Sequence, residues 1–286
     1  MNRRLRKQLP LLFGMGSVLS ILTVGLGYVG LQTYGRATAD EYGCYVDAPQ
    51  RSTFVLVDAS EPRFNEEQAR SLRSYFDQLY DGLAFNERLS IFTSEGDQVA
   101  SIARSRFSLC GQARTPDELK AINASAAEAG YLRKQRQRLY EKKLAPELDA
   151  LFADNLNESR RQLYQSPILE MIGDISRSPQ LNPGSRLVVV SDFIQNSDSA
   201  RFCRAKGHMP RFSNFKKRSV YTRLKPSSLE DVEVKLLMVQ RHGYGRGSLA
   251  YCYSEEELRK WWVDYLKDNG VRNPRIIRIR HGATGS

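Results

Sequence analysis

Two acidic side chains stand where an acid is costly. Asp58 follows the apolar run Thr53–Val57, and Asp192 closes the run Leu187–Ser191. An unpaired carboxylate at a buried strand end is unfavourable, so each acid requires a metal ion, an arginine or backbone N–H groups as partner. Ser60 lies two residues beyond Asp58, and Ser166 precedes Pro167 where an apolar helical pattern begins. Carboxylates and hydroxyls are hard oxygen donors, a set suited to Mg2+ or Ca2+. Both serines also have a plainer use: Ser166 as a helix N-cap and Ser60 in satisfying a turn.

Other chemistries are poorly supplied. The chain has three histidines, His208, His242 and His281, none in the segments that carry the two acids. No GxSxG elbow, CxxC pair or HExxH occurs, which argues against triad hydrolysis and a Cys/His zinc site. A haloacid-dehalogenase phosphatase would place a second Asp where Ser60 stands. Gly243–Ser248 has the glycines of a phosphate loop but lacks its Gly-Lys-Ser/Thr end, and reads as a plain loop.

The elements that would position the acids follow from patterning. Thr53–Ala59, Arg186–Phe193 and Val232–Gln240 are continuous apolar runs, the mark of strands covered on both faces. Arg88–Thr93 and Gln98–Ala103 are shorter strands about a turn at Ser94–Asp97, and Pro274–Arg280 alternates like an edge strand. Asn65 with Gln68, Thr115 with Glu118 and Ser254 with Glu257 are helix starts. The stretch 115–165 is helical in character, with breaks expected near Gly130 and at Ala145-Pro146. Trp261 and Trp262 fall at helical spacing with Leu258 and Tyr265, which places at least one in the core.

Alternating strands and helices predict an α/β fold: a mostly parallel, doubly wound, Rossmann-like sheet with helices on both faces. Ligands in such sheets sit beyond the carboxyl ends of the strands, where Asp58 and Asp192 fall.

The run Phe54–Ser60, a later Ser166 opening a helix, and Leu187–Asp192 together resemble the von Willebrand factor A (integrin I-type) family. The likeness covers about residues 50–280 in element order and is specific around Asp58–Ser60 and Asp192. The resemblance implies an interaction module with a metal-ion-dependent adhesion site built on Asp-x-Ser-x-Ser, a Thr and a late Asp. On that pattern Asp58, Ser60, Ser166 and Asp192 are the ligands of Mg2+ or Ca2+. Pro62 stands where the third motif residue would be, and Phe193 where a Gly often follows the late Asp, so the site is a degenerate one.

Compartment is set by the N-terminus. No charge occurs between Lys7 and Arg36, a run longer than the roughly 20 residues that span a bilayer. Arg3, Arg4, Arg6 and Lys7 precede it, so the N-terminus is expected inside and the rest outside the cytoplasm. Ala37-Thr38-Ala39 resembles a signal cleavage site, but signal cores run only about 7–15 residues, which favours an uncleaved anchor. Gly16, Ser20, Gly25, Gly27 and Gly30 would suit close helix packing, though Gly is common in such helices. The organisation expected is a cytoplasmic basic tail at 1–8, a transmembrane helix at 9–35, a linker at 36–50 and one domain at 51–286. A helical insertion at 115–165 and a basic insertion at 194–230 interrupt that domain. In an oxidising compartment the four cysteines permit two disulfides in three pairings. Proximity favours Cys44–Cys110 and Cys203–Cys252.

The chain carries 43 Lys+Arg against 32 Asp+Glu among 286 residues, a net charge of +11. Much of the excess lies in Arg133–Lys143 and in a second run without an acid: Arg201, Arg204, Lys206, Arg211, Lys216, Lys217, Arg218, Arg223 and Lys225. Phe202, Phe212, Phe215 and Tyr221 are interleaved there. Such runs suit nucleic acid, but an extracytoplasmic domain seldom meets it. Anionic lipid, an acidic glycan or an acidic protein fits better, beside the plain reading of a solvated surface.

Three functions are therefore in play: a membrane-anchored, non-enzymatic module binding a protein partner in a membrane or envelope complex; a metal-assisted phosphoester or glycan hydrolase using Asp58 and Asp192; and a basic platform for anionic lipid or envelope polymer.

Overall fold

The structure is a computed structural model that describes residues 36–58, 64–94, 105–153, 165–203, 208–240 and 252–280. The expected membrane span at 9–35 lies outside the described residues. Among those described, no helix is long and apolar enough to cross a membrane.

Six strands form one sheet: β1 (Ser52–Val57), β2 (Arg88–Thr93), β3 (Phe107–Cys110), β4 (Arg186–Ser191), β5 (Glu233–Val239) and β6 (Arg275–Ile279). Their order is β3-β2-β1-β4-β5-β6, and every pair is parallel except β2 with β3. This is the doubly wound order, which reverses direction between β1 and β4. The return strand beside β2 is Phe107–Cys110, and the expected strand at Gln98–Ala103 lies outside the described residues. β6 lies at an edge and is partly exposed.

Strand alternation sends Phe54 and Leu56 to one face and Val55 and Val57 to the other. The second face is covered by α1 (Glu66–Gly82), which contributes Leu72, Phe76 and Leu79. It also receives the insertion made of α2 (Pro116–Ala121), α3 (Ala129–Leu139) and α4 (Ala145–Ala153), through Leu144, Leu148 and Phe152. α5 (Ile168–Ser176), α6 (Phe212–Phe215), α7 (Ser219–Leu224) and α8 (Glu255–Asp268) cover the first face. Each expected capping box is present, at Asn65/Gln68, Thr115/Glu118 and Ser254/Glu257.

The expected break at Ala145-Pro146 is instead a π-helical turn at Tyr140–Leu144 that runs into α4. Pro146 has no N–H to donate, and the wider turn, closed by Ala145 N–H on the Tyr140 carbonyl, absorbs that loss without ending the helix. Gly130 lies inside α3, and the break precedes it.

Residues 36–50 are not a free linker. Ala37 N–H bonds the Asn123 carbonyl at 3.1 Å, Tyr45 N–H bonds Asn86 Oδ1 at 2.9 Å, and Cys44 is bonded to Cys110. The second disulfide joins Cys203 to Cys252, and the described chain has no free cysteine. Gly111 makes the first staple possible, because a Cβ there would meet the Ala84 carbonyl oxygen at 2.0 Å. Two disulfides are what an oxidising compartment permits.

Candidate functional site

Register builds the site. Val57 is level with Thr93 on β2 and with Val190 on β4, so the next residues, Asp58, Ser94 and Ser191, lie side by side at the carboxyl ends of three adjacent strands. The Asp58 carboxylate is buried and accepts three hydroxyls: Ser94 Oγ at 3.2 Å on Oδ1, and Ser166 Oγ at 2.6 Å and Ser191 Oγ at 2.7 Å on Oδ2. Asp58 N–H is itself bonded to the Val190 carbonyl at 2.8 Å. Charge-assisted bonds of this kind are stronger than neutral ones.

Ser166 does not cap α5. The residue at the cap is Pro167, and the first-turn N–H of Leu169 is satisfied by Gln195 Oε1 at 2.9 Å. Gln195 is fully buried and also donates to Glu170 at 2.9 Å, which ties the segment after β4 to α5. Ser166 and Asn196 exchange two backbone bonds, at 2.7 and 2.9 Å. The Ser166 hydroxyl is thereby released from capping and delivered to Asp58.

Asp192 is buried next to Ser191, and its Oδ1 accepts Ile194 N–H at 2.9 Å. Phe193 follows at φ 64°, the left-handed region that favours glycine. The strain is held by burial: the ring is fully enclosed with its centroid 5.3 Å from that of Trp262, whose Nε1–H bonds the Phe193 carbonyl at 2.9 Å. Ser60 lies outside the described residues. Of the sequence candidates, the structure brings Asp58 and Ser166 into contact and sets Asp192 beside Ser191. Ser94 and Ser191 were missed because only pairing register places them beside Asp58.

The donor set is chemically hard, mixing carboxylate and hydroxyl oxygen, and fits Mg2+ or Ca2+ in type. It holds two carboxylates. Among the described residues no group of three or more His, Cys, Asp and Glu side chains is placed to hold a metal ion.

The basic insertion is ordered by its aromatics. Phe202, Phe215 and Tyr221 are buried with Trp261 and Trp262. The Phe202 and Trp261 centroids are 4.5 Å apart, and those of Phe212 and Trp261 are 5.3 Å apart. These rings are core, which leaves the cations outside. Arg201, Arg211, Lys216, Lys217, Arg218, Arg223 and Lys225 are all exposed, while Arg204 and Lys206 lie outside the described residues. Arg201 pairs with Asp198 at 3.5 Å, and Lys216 pairs with Asp268. Burial pushes the Asp268 carboxyl up, but hydrogen bonds from Lys216 and Tyr221 outweigh it and hold the group below its ordinary range. No family model and no curated protein matches the chain.

Proposed function

We propose that this protein is a membrane-anchored, extracytoplasmic interaction module of the von Willebrand factor A type, without catalytic activity. Its rim of Asp58, Ser94, Ser166, Ser191 and Asp192 engages a protein partner of a membrane or envelope complex. The observation that carries the reading is the buried Asp58 carboxylate holding three hydroxyls at the switch point of a doubly wound sheet. Asp58, Ser166, Ser191 and Asp192 are the residues that would hold Mg2+ or Ca2+. A divalent ion bound there offers a coordination position to a partner's carboxylate. The hydroxyls suit this use because each can turn from donating to a carboxylate to accepting toward a cation. His208, the one histidine among the described residues, is exposed and lies near Glu257 at the start of α8. The rim therefore has no imidazole base among the described residues, and hydrolysis gains no support from it.

The test uses the full chain in nanodiscs. Calorimetric titration with Mg2+, Ca2+ and Mn2+ should give binding that Asp58→Ala abolishes. Crosslinking in native membranes should capture one partner that both Asp58→Ala and Asp192→Ala lose. Metal-dependent phosphoester or glycan hydrolysis that either substitution removes would replace this reading with the hydrolase.

A further inference from the structure

The two ends of the sheet differ in what they carry, and the lower end, where the parallel strands begin, faces the tether. Residues 37–50 cross this end. Ala37 is bonded to Asn123, Tyr45 to Asn86 in the turn before β2, and Cys44 to Cys110, which is level with Arg88 at the start of β2. The apolar run ends at residue 35, so one residue separates it from the first pinned position. One residue spans at most about 3.6 Å. The lower end therefore has almost no slack from the segment expected in the bilayer.

The same end carries exposed cations. α5 and α8 each descend to a following strand, so their C-termini lie at the lower end. Arg177, capping α5, donates to the carbonyls of Arg223 and Lys225 at 3.5 and 3.4 Å. Ser227 N–H bonds Ser176 Oγ at 2.9 Å. Lys216 and Tyr221 bond Asp268, the last residue of α8. The segment Lys216–Lys225 is thus held along the lower end, while Arg201 and Arg211 stay nearer the upper one, close to the starts of α5 and α8. Several acids of the lower end are matched: Asp81 with Arg136 at 2.8 Å, Asp174 with Arg177 at 3.2 Å, Asp231 with Arg272 at 3.1 Å and Glu41 with Lys143 at 3.0 Å. Asp47 and Glu230 are exposed and have no salt-bridge partner among the described residues. Lys217, Arg218, Arg223 and Lys225 are exposed and have no salt-bridge partner among the described residues.

We infer that this lower face docks on the anionic phospholipid headgroups of the membrane that holds residues 9–35. The inference rests on the anchored reading above. The tether enters on the β3 side and the cations lie on the β4–β6 side, across a sheet roughly 24 Å wide at about 4.8 Å per strand. A domain tethered at one edge can tip, and a second contact at the far side stops it. The rim at Asp58 is then held roughly 20 Å above the membrane side, the rise of six residues at about 3.3 Å each, and is turned toward solvent.

The test reconstitutes the full chain in nanodiscs of phosphatidylcholine alone or with phosphatidylglycerol. Lysine acylation is read by mass spectrometry. Lys217 and Lys225 should react about fivefold more slowly in the anionic discs, the factor that one basic side chain near such a surface contributes. Lys260, exposed on α8, should react equally in both. The triple variant Lys217→Glu, Arg218→Glu, Arg223→Glu changes only exposed side chains and should restore Lys225 to the rate seen in neutral discs. Equal rates for Lys217 and Lys225 in the two lipids would overturn the inference, as would equal slowing of Lys260. An alkaline wash separates the two readings. A chain that stays in the disc with reactive lysines defeats only the docking, whereas a chain that leaves the disc defeats the anchor and the docking together.

Discussion

Glu87 at the lower end of the sheet and Asp58 at the upper end, where Asp192 is buried as well, are satisfied in different ways. At the lower end Glu87 accepts the Thr53 hydroxyl and Ala84 N–H at 2.9 Å, with Arg186 at 3.9 Å. At the upper end Asp58 takes hydroxyls from Ser94, Ser166 and Ser191. At Glu87 only the Thr53 hydroxyl can also accept; the guanidinium and the backbone N–H are fixed donors, and together the three hold the start of the sheet. A hydroxyl both donates and accepts, so the shell of Asp58 can be turned toward a cation or a partner group. Burial alone therefore does not distinguish the two acids; the three hydroxyls at Asp58 against one at Glu87 do.

The upper end depends most on Phe193. Phe193→Ala should lower stability by about 3–5 kcal/mol, the cost of emptying a fully buried aromatic site. Phe193→Gly relieves the left-handed backbone by about 1–2 kcal/mol yet loses the same ring, so it too should be less stable than the native chain. Urea unfolding reads both, and a Gly variant as stable as the native chain would mean that the ring does not hold the turn.

The two acids can be set directly against each other. Glu87→Ala strips a buried hydroxyl, a backbone N–H and a cation of their acceptor, and should cost roughly 2–3 kcal/mol. Asp58→Asn keeps shape and some of the bonds, and should cost about 1–2 kcal/mol while removing metal and partner binding. If Asp58→Asn destabilises as much as Glu87→Ala and leaves binding intact, the upper acid is structural and the contrast collapses.

Ser166→Ala removes one hydrogen bond to a carboxylate, a loss of about 1.5 kcal/mol, with little change to α5. Hydrogen exchange should show the first turn of α5 as protected as before, because Gln195 supplies its cap. Loss of protection there would return Ser166 to an ordinary capping role.

The smallest effect lies at the lower end. Burial raises the Glu233 carboxyl, but Lys235 and Arg186 more than offset it and leave the group below its ordinary range. A lowered carboxylate stabilises the fold above its unfolded value, and the gain disappears as pH falls through the folded one. Glu233→Gln should therefore flatten the acid side of the stability profile and leave the alkaline side unchanged.

Much of this was legible from residue order. Five of the six strands, the three capping boxes and both disulfide pairs follow from apolar runs, three-residue spacings and proximity. Those signals are local, so they survive without knowledge of the fold. β3 has no counterpart among the expected strands, because Phe107–Cys110 is four residues long, too short for a clear period. The turn at Pro146 was misread because a π turn has no signature of its own and proline reads as a break. The aromatics of the basic insertion looked like a binding surface, since composition does not say which way a ring faces.

The sequence by itself determined that two acids end buried strands and that a hydroxyl shortly precedes the helix between them. It also determined the excess of positive charge and the long uncharged run on which the expected anchor rests. Only the tertiary structure decided which hydroxyls meet Asp58, because that depends on strand register, a non-local property. Likewise only the fold split one continuous basic run between two ends of the molecule. The C-termini of α5 and α8 hold the segment Lys216–Lys225 at the lower end of the sheet, and no spacing along the sequence encodes that placement.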